Sequence, residues 1–222
     1  MDNKWEQKYK ENEIHIRKAM EKSEWDFDFG NKILYDLCET YPYHRDIGQI
    51  IGKIWLIGRS YTVAVERTKE ISKYPDTEDF YIQQVGPTMQ TSNIDEWIGS
   101  IAKLRYPTFE NIESILDAHY KLTNLFNEIT KLKNRSLASK YLHFHKKNLF
   151  FIYDSRSMKS IRQITPAVKK ELSKSNNNMD PEYAEFCFRC LQLRDQIGKD
   201  FNKFLTPRAL DNLLLLLAIK NK

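Results

Sequence analysis

The chain has no apolar run approaching the ~20 residues that a membrane helix needs, and its longest, Leu213 to Ile219, is the size of a core segment. Its first residues, MDNKWEQKYK, are polar and charged, so no secretory signal is expected and the predicted location is cytoplasmic. Cysteine is scarce. Three thiols cannot build a disulfide framework, and a four-cysteine iron–sulfur pattern is absent. Cys187 and Cys190 form a C-x-x-C pair inside the helical pattern AEFCFRCLQL, with no second Cys or His pair nearby, which favours two core thiols over a zinc site. His143 and His145 lie about 200° apart on a helix and cannot share a metal from one face. No metal and no cofactor is expected. There is no phosphate loop and no G-x-G-x-x-G, so the usual nucleotide-binding classes lack their signature. None of the five histidines follows an arginine by four to six residues, which counts against a helical ribonuclease toxin.

What remains is a balanced composition, 41% apolar and 29% charged over 222 residues, enough for a sizeable core. Strand signals are few; apolar residues recur at three- and four-residue spacing, with proline and glycine at the breaks. The predicted class is all-α, about ten helices in a single domain over 1–222. Asp2–Lys22 reads as helical, with Trp5, Tyr9, Ile16 and Met20 docking. Trp25, Phe27 and Phe29 read as a loop laid across a hydrophobic surface, and Asn31–Thr40 as a short helix. His44–Ile71 reads as one long buried helix, whose Gly48, Gly52 and Gly58 imply close neighbours. Its stripe of Arg59, Thr62 and Glu66 suggests either a structural Arg59–Glu66 pair or a pocket wall. Further helices are predicted from Phe80 to Met89, disturbed by Gly86-Pro87, and over Asn93–Leu104, Asn111–Lys131 and Pro166–Ser173. The last two start at Asp180-Pro181 and Thr206-Pro207.

Charge is unevenly spread. Residues 131–174 hold twelve of the 35 basic residues but two of the 30 acidic ones, leaving 23 bases against 28 acids elsewhere. Such a cationic segment fits a polyanion-binding face, against the alternative of a solvated basic surface. Within it, Leu137, Tyr141 and Phe144 mark the buried side of a short helix, with Lys140 beside that face. Desolvation and neighbouring cations lower a lysine's pKa, as an amine nucleophile needs. Asp154 precedes Ser155-Arg156 as a helix N-cap, and a carboxylate held by backbone N–H groups is also fixed for catalysis.

The stretch SLASKYLHFHKKNLFFIYDSRS resembles the core of the helix-hairpin-helix DNA glycosylase superfamily, and more narrowly its bacterial 8-oxoguanine-DNA-glycosylase-like branch. IGKIWLIGRSYTVAVER and TPRALDNLLL are similar more loosely to other family elements. The resemblance implies two lobes around a cleft and double-stranded DNA as partner. It implies a base flipped into a pocket and cut at its N-glycosidic bond, with or without AP-lyase activity. Lys140 and Asp154 are its catalytic pair. A phage-defence line acting on glucosylated hydroxymethylcytosine falls within the same resemblance. Arg59, Tyr61 and Glu66 become candidates for the pocket wall. The hairpin turn lacks the family's glycines, so phosphate contact falls to Lys133, Arg135 and Ser136, with His143, Arg156 and Lys159 completing the DNA face. The alternative is a non-catalytic helical nucleic-acid-binding module.

Overall fold

The computed structural model describes residues 4–21, 27–169, 172 and 178–220. Trp25 and part of the basic helix predicted over Pro166–Ser173 lie outside them. The described residues are helical, with no strand among them, and no helix is long and apolar enough to cross a membrane. Where one N-terminal helix is predicted there are two, α1 (Lys4–Glu11) and α2 (Glu13–Glu21). Asn12 breaks them, its side-chain amide donating to the Lys8 carbonyl. Helix α3 (Asp28–Thr40) starts earlier than expected and absorbs Phe29. Phe27 and Phe29 are 82% and 77% exposed, so neither lies on a hydrophobic surface.

Helix α4 (Ile47–Ser60) is shorter than the predicted long helix. Thr62 takes φ 56°, in the left-handed region, and the chain folds back over Gly58 into a 3₁₀ turn, Val65–Thr68. Val63 N–H bonds the Gly58 carbonyl, and a Cβ on Gly58 would lie 3.1 Å from Ala64 Cα. Close approach therefore explains Gly58, whereas Gly52 faces open space. Helices α5 (Thr77–Phe80) and α6 (Gly86–Gln90) are joined by a π turn, Tyr81–Val85. Pro87 cannot donate to the carbonyl four residues back, and the wider turn accommodates its ring. Helix α7 (Ile94–Ser100) ends before the predicted Leu104.

Helices α8 (Ile112–Thr130), α9 (Arg135–His145), α10 (Ser155–Ile164), α11 (Pro181–Phe201) and α12 (Pro207–Lys220) complete the chain. Buried apolar side chains from Tyr9 to Leu217 form one continuous cluster. Helix α9 packs on α3, α4 and α8; α10 packs on α1, α11 and α12. The predicted catalytic pair thus sits where these two groups of helices meet.

Candidate active site

Helices α8 and α9 form a helix–turn–helix, and the turn's left-handed residue is Lys131, at φ 61° and ψ 14°, where glycine would be easiest. After α9 a turn ends at Leu149, and the chain then runs without helix through Phe150, Phe151, Ile152 and Tyr153, all buried, to the extended backbone of Asp154, with no strand among the described residues to pair with. Buried backbone groups need partners, and side chains supply them. His143 Nδ1 donates to the Phe150 carbonyl at 2.8 Å, and Tyr183 Oη donates to that of Phe151 at 3.0 Å. The Tyr153 N–H donates to Ser139 Oγ, while the Tyr153 carbonyl accepts from Ser136 Oγ and from Lys140 Nζ. Ser136, Ser139, Lys140 and His143 recur at helical spacing, so one polar stripe of α9 serves the extended segment.

Lys140 is 3% exposed. Its amine donates to Ser136 Oγ at 2.7 Å and to the Tyr153 carbonyl at 2.6 Å, and it lies 5.8 Å from the centre of the Tyr61 ring. Burial pulls the amine down to about 8, against the upward pull of Asp154 and Asp211. Asp154 follows the carbonyl that holds Lys140, so the extended segment delivers both groups to one place. Its Oδ1 accepts the Arg156 and Ser157 N–H groups at 2.8 Å, capping α10. Oδ2 has a loose 3.7 Å contact with Arg156. Chemically this is an amine with an appreciable neutral fraction at pH 7 beside a carboxylate locked in orientation.

Three residues that sequence reasoning did not nominate complete the surroundings. Arg208, from α12, donates to Asp211 Oδ2 at 2.9 Å, to Tyr61 Oη at 2.6 Å and to Tyr35 Oη at 3.3 Å. Burial pushes the Asp211 carboxyl up to about 6, with Arg208 and Lys140 opposing it. Tyr35 Oη lies 2.6 Å from His143 Nε2. The available signal was a pair of opposite charges one turn apart in the otherwise apolar run PRALDNLLLLLA.

The other predicted residues divide. Tyr61 joins the site, its hydroxyl donating to Asn31 Oδ1 and its acidity suppressed by burial to about 12. Arg59 and Glu66 pair with each other, Glu66 also accepting from Tyr81, and none of their described bonds reaches Lys140. Because α4 stops at Ser60, Thr62 and Glu66 are not on its face. His143 is fully buried and held on both ring nitrogens, which corrects its assignment to the DNA face. Ser136 is committed to Lys140 and Tyr153, and Arg135 to Asp180 and Glu182 at 2.8 Å each. Arg162 pairs with Glu185. The cationic surplus of 131–174 is therefore partly neutralised by α11 and the residue that caps it. Lys133, Arg156 and Lys159 remain exposed.

Two surface clefts, of about 390 and 200 Å³, lie away from Lys140; the first is lined by Glu113, Asp117 and Met179, the second by Trp5, Phe109 and Thr165. Because Lys140 itself is buried, substrate access to the amine requires its covering side chains to move. Among the described residues no His, Cys, Asp and Glu group could hold a metal ion. Comparison with protein-family models, curated proteins and solved structures finds no match.

Proposed function

We propose that the protein is a DNA glycosylase that flips a modified base out of the duplex and cleaves its N-glycosidic bond. The observation that carries this reading is the buried Lys140 amine, lowered to about 8 and set beside the α10-capping Asp154 at the end of a helix–turn–helix. In this reading α8–α9 is the superfamily's hairpin, and the side chains covering Lys140 move aside to admit the flipped base between two lobes. Exposed Lys133, Arg156 and Lys159 neutralise phosphates of double-stranded DNA. The neutral amine of Lys140 attacks C1′ or holds an attacking water, and Asp154 stabilises positive charge on the sugar as the base departs. Glucosylated hydroxymethylcytosine of phage DNA is one candidate base.

The rival is a non-catalytic helical nucleic-acid-binding module, favoured by the structural role Lys140 already has on the Tyr153 carbonyl. Borohydride trapping on duplexes carrying modified bases separates the two. A covalent adduct that is lost in Lys140→Gln marks attack by the amine, and base release without an adduct marks the water route; neither is expected of a binding module. Base release is expected to vanish in both Lys140→Gln and Asp154→Asn while DNA affinity falls less than about tenfold, since neither residue is a phosphate contact. Base release unchanged in both variants would sink the assignment.

A further inference from the structure

Two buried polar atoms beside the candidate site have no partner among the described residues, Asp211 Oδ1 and Ser157 Oγ. Asp211 is 3% exposed and Ser157 fully buried. An unpaired buried donor or acceptor costs on the order of 1–3 kcal/mol, so each calls for an explanation. They belong to α12 and α10, which pack against each other. Ser157 stands at the start of α10, its N–H on the Asp154 carboxylate. Asp211 is anchored through Oδ2 by Arg208, leaving Oδ1 unused, and its carboxylate feels the charges of Lys140, Asp154 and Arg156. One orphan only accepts; the other is a hydroxyl that can donate.

A flat ring that offers an amino N–H next to a bare ring nitrogen would satisfy both. Cytosine-type and adenine-type bases carry that edge, and a flipped base is read along it. Uracil-type bases and hypoxanthine present a carbonyl to the carboxylate and a ring N–H to the hydroxyl, which sets acceptor against acceptor. We infer, resting on the glycosylase reading, that Asp211 and Ser157 select the flipped base, admitting those with an exocyclic amine beside an unprotonated ring nitrogen. Arg208 is then the positioning residue that turns Asp211 toward the base.

The test uses the full chain on matched duplexes, 5-hydroxymethylcytosine against 5-hydroxymethyluracil and adenine against hypoxanthine, reading base release as kcat/KM. In at least one pair the wild type is expected to favour the amine by about a hundredfold or more, because a site built to pair an N–H rejects the analogue lacking it. Asp211→Asn can offer its own N–H to a carbonyl, and is expected to reduce that preference below about tenfold. Ser157→Ala removes an unpaired hydroxyl, so it should fold, and is expected to lower kcat/KM for the amine-bearing base by about tenfold. The preference is a ratio between two substrates on one protein, which a merely structural role would not move. Equal release of both members by the wild type, or a preference untouched in both variants, overturns the inference and leaves the glycosylase reading standing. No release from any duplex and no adduct at Lys140 removes both.

Discussion

The Lys140 amine makes two hydrogen bonds to uncharged acceptors inside a nearly closed site, and burial lowers it to about 8. Only the neutral amine attacks carbon, so below that value each pH unit should change the reactive fraction about tenfold. The initial rate of adduct trapping is expected to rise with pH from 6 and to level off near 8. A profile flat across that range would exclude an amine nucleophile. At this scale the sequence was informative where the cause was local. Lys140 was legible from its position beside Leu137, Tyr141 and Phe144, and Asp154 from the cap it makes. Arg208 and Asp211 were not, because helical periodicity says which face is buried and nothing about which distant helix it meets. His143 was misjudged for a related reason: a count of basic residues along the chain treats every one as exposed.

Among the helices, the fold-back after α4 departs most from the expected pattern, and it begins one residue after Tyr61, which reaches the site from the helix's last turn. The apolar residues of YTVAVER continue the helical period past Ser60, so pattern alone extends the helix. What ends it is the turn at Thr62, made against Gly58 by contacts the period does not encode. The glycines separate into those with neighbours and those without. Gly86→Ala would bring a Cβ to 2.7 Å from Ile47 Cγ2 and 3.2 Å from the Tyr81 carbonyl. It is expected to destabilise by about 1–3 kcal/mol despite alanine's better helix propensity. Gly52→Ala meets nothing within 4 Å and should stabilise by up to about 1 kcal/mol. Paired urea unfolding of the two variants measures both, and effects of the same sign would contradict the packing described.

Across the whole molecule, three buried histidines and the half-buried His145 contribute to acid sensitivity. Burial lowers His44 to about 4, His119 to about 4 and His143 to about 3, and holds His145 well below its ordinary range. The unfolded chain takes up these protons below about pH 6.5 while the folded protein does not, so stability falls as pH drops from 6.5 toward 4. Asp211 works the other way, since its carboxyl, raised to about 6, is protonated in the folded state first. Each tenfold difference in proton affinity between the folded and unfolded chain is worth ~1.4 kcal/mol, so four histidines outweigh one carboxyl. Thermal midpoints are expected to fall continuously across that window, with His143→Gln flattening the curve; a midpoint constant between pH 6.5 and 4 would refute the burial.

The extended segment before Asp154 has one more property. A strand bonded to another strand can slip by two residues and recover an equivalent ladder. This segment cannot, because four of its backbone groups meet particular side chains: the Phe150 carbonyl His143, the Phe151 carbonyl Tyr183, the Tyr153 N–H Ser139, and the Tyr153 carbonyl Ser136 and Lys140. It is keyed where a sheet would be zippered. A one-residue insertion or deletion between Leu149 and Tyr153 therefore has no alternative register to fall into, and the spacing from Lys140 to Asp154 is locked by the same contacts that hold the core.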